Sequence, residues 1–573
     1  MDLADWLLVL AAVAIVPLGF FLSADRDAAG NRRPSHRAAA FVLPIGSTLA
    51  AASYVFPPGK TAGMCAFAWV LATLLVALTG AARIARRGVF PIEELAIDVG
   101  HLYLPVGAVW FFAHRLGIPL LGFHEPIVAY TANHFHFAGF AAPVVTGLLG
   151  RELGLRRRPG SSGEGELASP LASPFVGRVY AICTSVVLLG IPLVAAGIVL
   201  THALEMPAAI LLGSGMLGIS ALLARAGALR LARRTGLARA SGALLLVGGA
   251  SLVLSMGFAI LFTTTGSATR GASSPLVPYA TMVAVHGVAN ACGFAALNLV
   301  AFALARPAPR CGPFGGTWPK LFGRGFIGVD FFDRTGAIDA GALVTGQLGS
   351  LDAFAHPGFD PSKVHPRVRH FYEHTRDYEL HVSPDWRFPF RTGGRLFEWF
   401  ARRFIGNLEL PTRAGAEPVV TTRFFKVKDD VDGRADARGY VRAYGAGRAA
   451  RANFVAAYAQ HTAHGRTLLT PAFPLPFASF MGALRFENGG FDDAGDTNGW
   501  LALSSRPAKG EGPGDEGMFL VTPLGPLRLP VDERLDVGPS DDGLSVVARH
   551  EVHLCGLRVF VLRYTCTLAR VSS

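Results

Sequence analysis

Charge is what this sequence has least of. Asp, Glu, Lys and Arg make up 16% of its 573 residues, where a soluble globular chain carries about a quarter. The shortage is uneven. Residues 1–305 hold 20 Lys+Arg and 12 Asp+Glu, and residues 306–573 hold 33 and 29. That split excludes a single soluble enzyme domain, and the apolar content excludes intrinsic disorder. Cysteine is scarce as well. Cys65, Cys183, Cys292, Cys311, Cys555 and Cys566 stand singly with no CxxC pair, which points away from both a disulfide framework and a zinc knuckle. Phosphate-loop chemistry has no support either: GSGMLG (213–218) follows no strand and reads as a helix-packing surface.

What fills the first 305 residues is one apolar run after another. A bilayer core about 30 Å thick needs roughly 20 apolar residues per helix. Nine such stretches are predicted, near 6–24, 38–56, 61–82, 95–113, 126–149, 178–200, 207–224, 240–263 and 279–304. The first begins MDLADW, with two aspartates where a cleaved signal would carry basic residues, so it is taken as a true span. The loops after spans 1, 3, 5 and 7 carry 4, 3, 5 and 5 Lys+Arg, counting Arg83 and Arg151 and, at the edge of span 6, Arg178. Those after spans 2, 4, 6 and 8 carry 1, 1, 0 and 1. Positive charge is retained on the cytoplasmic side, so the N-terminus is expected outside a bacterial inner membrane and everything after Ala305 in the cytoplasm. Topology and anionic lipid headgroups account for the basic loops, and no nucleic-acid partner is expected.

Ionisable side chains within spans are costly and mark candidate sites. Glu94, Asp98 and His101 are spaced i, i+4, i+7 on span 4 and share a helix face. Span 5 opens with His134 and His136, and span 9 carries His286 and Asn290 one turn apart. At about 1.5 Å per residue, His101, His134, His136, His286 and Asn290 lie roughly 10–18 Å below the outer surface, which predicts a shared polar cavity near the midplane. His134 and His136 are two residues apart, so both can face it only if the helix is distorted, as Gly139 and Pro143 would allow. Tyr130, Thr131, Asn133 and Asn298 are read as helix-bridging groups.

The strings HFHFAGF (134–140), HGVANACGF (286–294) and EELAIDVGHLY (93–103) resemble those of the YndJ-like family of bacterial multi-pass membrane proteins. The resemblance covers residues 1–305 and implies a polytopic membrane protein; it brings no substrate or reaction.

Three uses of these residues stand side by side. The leading one is non-enzymatic: transport or sensing of a small solute, with Glu94, Asp98 and His101 relaying protons and His134, His136, His286 and Asn290 completing the cavity. The second is haem or a transition metal held by His101, His134, His136 and His286. The third is structural, with His and Asn bridging helices or serving assembly. Partners expected are the lipid bilayer and a small solute; the sequence fixes no oligomeric state.

From Arg306 the composition turns soluble. Residues 306–330 read as a Pro/Gly-rich linker and 331–573 as a cytoplasmic α+β domain with an antiparallel sheet. GWLALSS (499–505) and GMFLVTP (517–523) alternate like strands, and 544–554 and 557–571 predict a hairpin turning at Cys555-Gly556. HPRVRHFYEHTRD (365–377) and GRLFEWFARRFIG (394–406) predict helices, the second basic and amphipathic, which suits either the inner membrane surface or, preferred here, the domain's own sheet. FPLPFASFMGALRFE (473–487) fits the lining of an apolar pocket or a packed strand with edge prolines. His461, His464, His550 and His553 show no metal-motif spacing, and the acidic runs 429–436 and 492–496 read as solvated loops.

Overall fold

The structure is a computed structural model that describes residues 1–24, 31–154, 173–200, 202–233, 235–268, 278–309, 317–410, 412, 420–445, 450–463, 465–490, 498–507 and 514–569. The chain divides into two compact units, Met1–Ile84 with Val89–Gly312, and Ala85–Gly88 with Pro313–Ser573.

The first unit is all helix. The passes are α1 (Leu3–Leu22), α2 (Pro34–Val55), α3 (Lys60–Arg87) and α4 (Ile92–Leu116). Then comes α5, formed by Ile127–His134, Phe135–Ala141 and Ala142–Leu153 run together. After it stand α6 (Pro174–Gly197), α7 (Ala203–Leu231), α8 (Gly236–Leu261) and α9 (Ala280–Ala305). Eight of these are long and apolar enough to cross a membrane; the one that falls short is α5, against the expected nine. The reason is local. Asn133, His134 and His136 lower its hydropathy, while every residue from Gly139 to Arg151 is buried, as suits the pass the others surround.

Local sequence sets the helix ends. Asp2 caps α1 by accepting from the Asp5 amide while the Asp5 carboxylate accepts from the amide of Asp2. Gly117 ends α4 in the left-handed region at φ 77°. Small residues let the passes approach. A Cβ at Gly80 of α3 would come within 2.8 Å of the Asp98 carbonyl oxygen of α4, and one at Gly147 of α5 within 2.4 Å of the Glu93 carbonyl oxygen. Gly215 and Gly218 of GSGMLG sit similarly close to Val186 and Cys183.

Three passes are locally wound as π-helix: Ala11–Ile15 in α1, Phe135–Ala141 in α5 and Ala289–Ala296 in α9. These three stretches pack against one another. The distortion expected near Gly139 is therefore present, with two counterparts that sequence did not suggest.

The second unit is mainly β. Its described strands are β1 (Ile338–Asp339), β2 (Tyr378–Trp386), β3 (Val420–Val427), β4 (Arg438–Tyr444), β5 (Arg451–Ala463), β6 (Arg466–Leu475) and β7 (Ala478–Ala483). They continue with β8 (Arg485–Asn488), β9 (Leu501–Ser504), β10 (Gly517–Thr522), β11 (Gly525–Leu529), β12 (Val531–Pro539), β13 (Val546–Leu554) and β14 (Leu557–Leu568). They form two antiparallel sheets, β1-β3-β4-β5-β6-β7-β10-β11 and β2-β14-β13-β12-β9-β8. The predicted hairpin is β13–β14. Cys555 (φ 51°) and Gly556 (φ 81°) supply the two positive φ angles that its two-residue loop requires. The unit's two longest described helices are α10 (Pro366–Glu373) and α11 (Phe390–Phe400), the latter extended by a π turn, Ala401–Ile405.

Two expectations for this unit need correction. β6 and β7 are interior strands, so edge position does not explain the prolines of 473–487. The amphipathic helix also does not bury its aromatic face on its own sheet: Leu396, Trp399, Phe400 and Phe404 are all exposed.

Candidate functional site

The polar face predicted on α4 is real, and its partners are two arginines. Arg83 of α3 donates from Nε to Asp98 Oδ1 (2.5 Å), from Nη2 to Glu94 Oε2 (2.6 Å) and from Nη1 to the Ser23 carbonyl (2.7 Å). Arg151 of α5 approaches Glu94 from the other side, Nε to Oε1 at 2.7 Å and Nη2 to Oε2 at 2.6 Å. One carboxylate thus grips two guanidinium groups, one of them bidentately. All four side chains are almost completely buried. Such a cluster holds together because each ion removed from water meets an opposite charge and additional hydrogen bonds.

His101 continues the row one turn further along α4. Its Nε2 lies 3.0 Å from Ser23 Oγ, and its ring stacks on Phe140 of α5. Its Nδ1 is buried with no hydrogen-bond partner among the described residues. His36 of α2 stacks on Phe20, which also touches the His101 ring. Helices α1 to α5 therefore all contribute to one polar centre.

The other predicted residues lie elsewhere. His136 accepts at Nε2 from the Trp69 indole N–H (2.9 Å), and its Nδ1 meets the Ala132 carbonyl at 2.7 Å. His286 Nδ1 lies 2.9 Å from Ser255 Oγ, and the Asn290 amide donates to the same hydroxyl at 2.6 Å. His134 is within electrostatic reach of His286. The single midplane cavity shared by four histidines is thus not what the geometry builds. His101 belongs with the arginine cluster, His286 with Asn290 and Ser255, and His136 with Trp69, while the His134 ring stands against Phe135. The π turns rotate the residues on either side of them relative to an ideal helix, which defeats a prediction from regular spacing. For the haem or metal alternative the consequence is direct: among the described residues no three His, Cys, Asp or Glu gather as metal ligands.

Arg83 and Arg151 were missed because they were counted as loop charge. Each continues a helix inward from its end, and the available signal was position: Arg83 stands one turn before Arg86 and Arg87. Asn133 does bridge, to the Ala4 carbonyl of α1, whereas the Asn298 amide donates to the Phe294 carbonyl of its own helix. In the second unit, Asp432 is not a solvated loop residue but a buried partner of Arg434; residues 492–496 and His464 lie outside the described residues. His461 pairs with Asp515 at 2.7 Å, His550 with Glu533 at 3.1 Å and His553 with Glu551 at 3.9 Å.

Comparison with known proteins agrees with the architecture. No solved structure matches the chain. A relative from Bacillus subtilis (strain 168), named uncharacterized membrane protein YndJ, is 28% identical over 512 residues, covering 88% of this chain and 84% of the relative. An alignment of that length runs well past residue 305, so the likeness extends into the β unit. The model of the YndJ-like protein family matches residues 6–294, half of the chain. A polytopic helical unit with this match, followed by antiparallel sheets, belongs to the YndJ-like family of membrane proteins.

Proposed function

We propose that this YndJ-like protein moves or senses a small solute across a bacterial inner membrane, with its N-terminus outside and its β unit in the cytoplasm. The observation that carries the proposal is the buried Arg83–Glu94–Arg151–Asp98 cluster with His101 beside it. Charges within a helical bundle are functional leads by default. Here five passes meet at groups whose charges balance only in one protonation state. Adding a proton at Asp98 or His101, or binding an ion beside them, would change which helices are held together, and that coupling is what a transporter or sensor needs. Glu94, Asp98 and His101 are assigned to this relay, and His134, His286 and Asn290 to a second polar station with Ser255.

The test uses a deletion strain complemented with the wild-type chain, Asp98→Asn or His101→Ala, with protein levels matched. Small-molecule pools inside and outside the cells are compared at acidic and neutral pH. The expected result is a solute whose partition depends on the wild-type chain in a pH-dependent way and is not restored by either variant. Equal restoration by both variants would remove the relay.

A further inference from the structure

The β unit contains a second candidate site, unrelated to the membrane cluster. Between its two sheets lies a cavity of about 440 Å³, within the range of small-molecule sites. Most of its wall is apolar. An aromatic row crosses four adjacent strands, from Tyr440 on β4 to Phe454, Phe473 and Phe480, with successive ring centroids 4.8, 6.0 and 6.2 Å apart. The segment 473–487 thus does line an apolar pocket.

One group does not fit an apolar wall. Arg442 of β4 faces the cavity and is 3% exposed. Its Nη2 donates to the Leu380 carbonyl at 3.2 Å and its guanidinium lies over the Phe454 ring, but its Nε is buried without a hydrogen-bond partner. No described carboxylate pairs with it: Glu533, the acid in the same wall, is held by His550 at 3.1 Å. The hydroxyls of Tyr440 and Tyr372 are also buried and without partners. Burial pushes the Tyr440 phenol and the Cys566 thiol each up to about 12. A guanidinium in such a place is costly without an anion.

We infer that this cavity binds a long acyl chain with an anionic head, the chain lying along the aromatic row and the carboxylate or phosphate on Arg442. Helix α11 suits delivery of such a ligand from a bilayer. Phe397 lines the cavity, while Leu396, Trp399, Phe400 and Phe404 face outward beside Arg395, Arg402 and Arg403.

The full chain, reconstituted in nanodiscs of zwitterionic lipid, is exposed to a long-chain fatty acid carrying a photoreactive diazirine, and labelled peptides are mapped. Labelling is expected on β4–β7 and β12–β14, suppressed by unlabelled fatty acid or alkyl phosphate and unaffected by inorganic phosphate. The neutral alcohol of the same chain length should compete about tenfold less well, as should the acid with Arg442→Gln, since one charge-assisted bond is worth at least that factor. Arg442→Lys should retain binding, and an unfolding temperature no lower than wild type in both variants separates lost affinity from lost fold. Equal competition by acid and alcohol, undiminished labelling in Arg442→Gln, or labels confined to α1–α9 would each overturn the assignment.

Discussion

The two units hold their site arginines differently. In the helical unit, Arg83 and Arg151 are clamped by Glu94, and Arg83 also by Asp98, so each of these two charges meets an opposite one inside the protein, while Arg115, also buried, rests on the Ser53 and Phe56 carbonyls. In the β unit, Arg434 follows the same rule with Asp432, but Arg442 does not. Where lipid surrounds the fold, internal pairing is the only compensation on offer. Where a cavity adjoins the charge, compensation can come from a ligand, and an arginine left without an acid becomes a statement about what the cavity receives.

That contrast can be broken experimentally. The largest effect is expected for Glu94→Gln, which removes the carboxylate charge shared by two buried guanidinium groups. It should cost about 3–5 kcal/mol, the penalty for breaking a buried pair, and appear as loss of folded protein from the membrane fraction and a lower unfolding temperature in detergent. Arg442→Gln should shift stability the other way, by about 1–3 kcal/mol, because it relieves an unmet buried donor. A destabilisation there would mean that the protein itself supplies the missing partner. A smaller effect separates the units by pH. Burial raises the Glu516 carboxyl above its ordinary range, against the pull of Arg485 and Arg466. A raised folded pKa stabilises fully below the unfolded value and is lost as pH climbs through the folded one. Glu516→Gln should therefore flatten the decline in unfolding temperature of the β unit between acidic and neutral pH, with little change at the acidic end.

Much of the helical unit was legible because an apolar run of about 20 residues has one cheap destination. The i, i+4, i+7 spacing of Glu94, Asp98 and His101 also translated directly into a shared face, since α4 stays regular through that region. What spacing could not reveal was which helix faces them, because Arg83 and Arg151 look like loop charge until the helices are seen to continue past the apolar run. The histidines of α5 and α9 failed for a different reason. A distortion was expected near Gly139 but none at Ala289–Ala296, and in both stretches the winding is wider. In the β unit, Cys555-Gly556 announced its hairpin through backbone chemistry alone. The cavity left only the aromatic segment 473–487 as an ambiguous mark, because alternation tells which face of a strand is apolar but not whether two such faces touch or stand apart.

The three π turns carry a consequence of their own. In an α-helix each turn closes four residues back; a π turn closes five back, so it holds one residue that regular winding has no room for. Removing a single residue from Ala289–Ala296 would let α9 tighten and would swing the part of the helix after it, Asn298 included, about the axis relative to the part before it. A one-residue deletion in any of these segments would therefore disturb the bundle more than most substitutions.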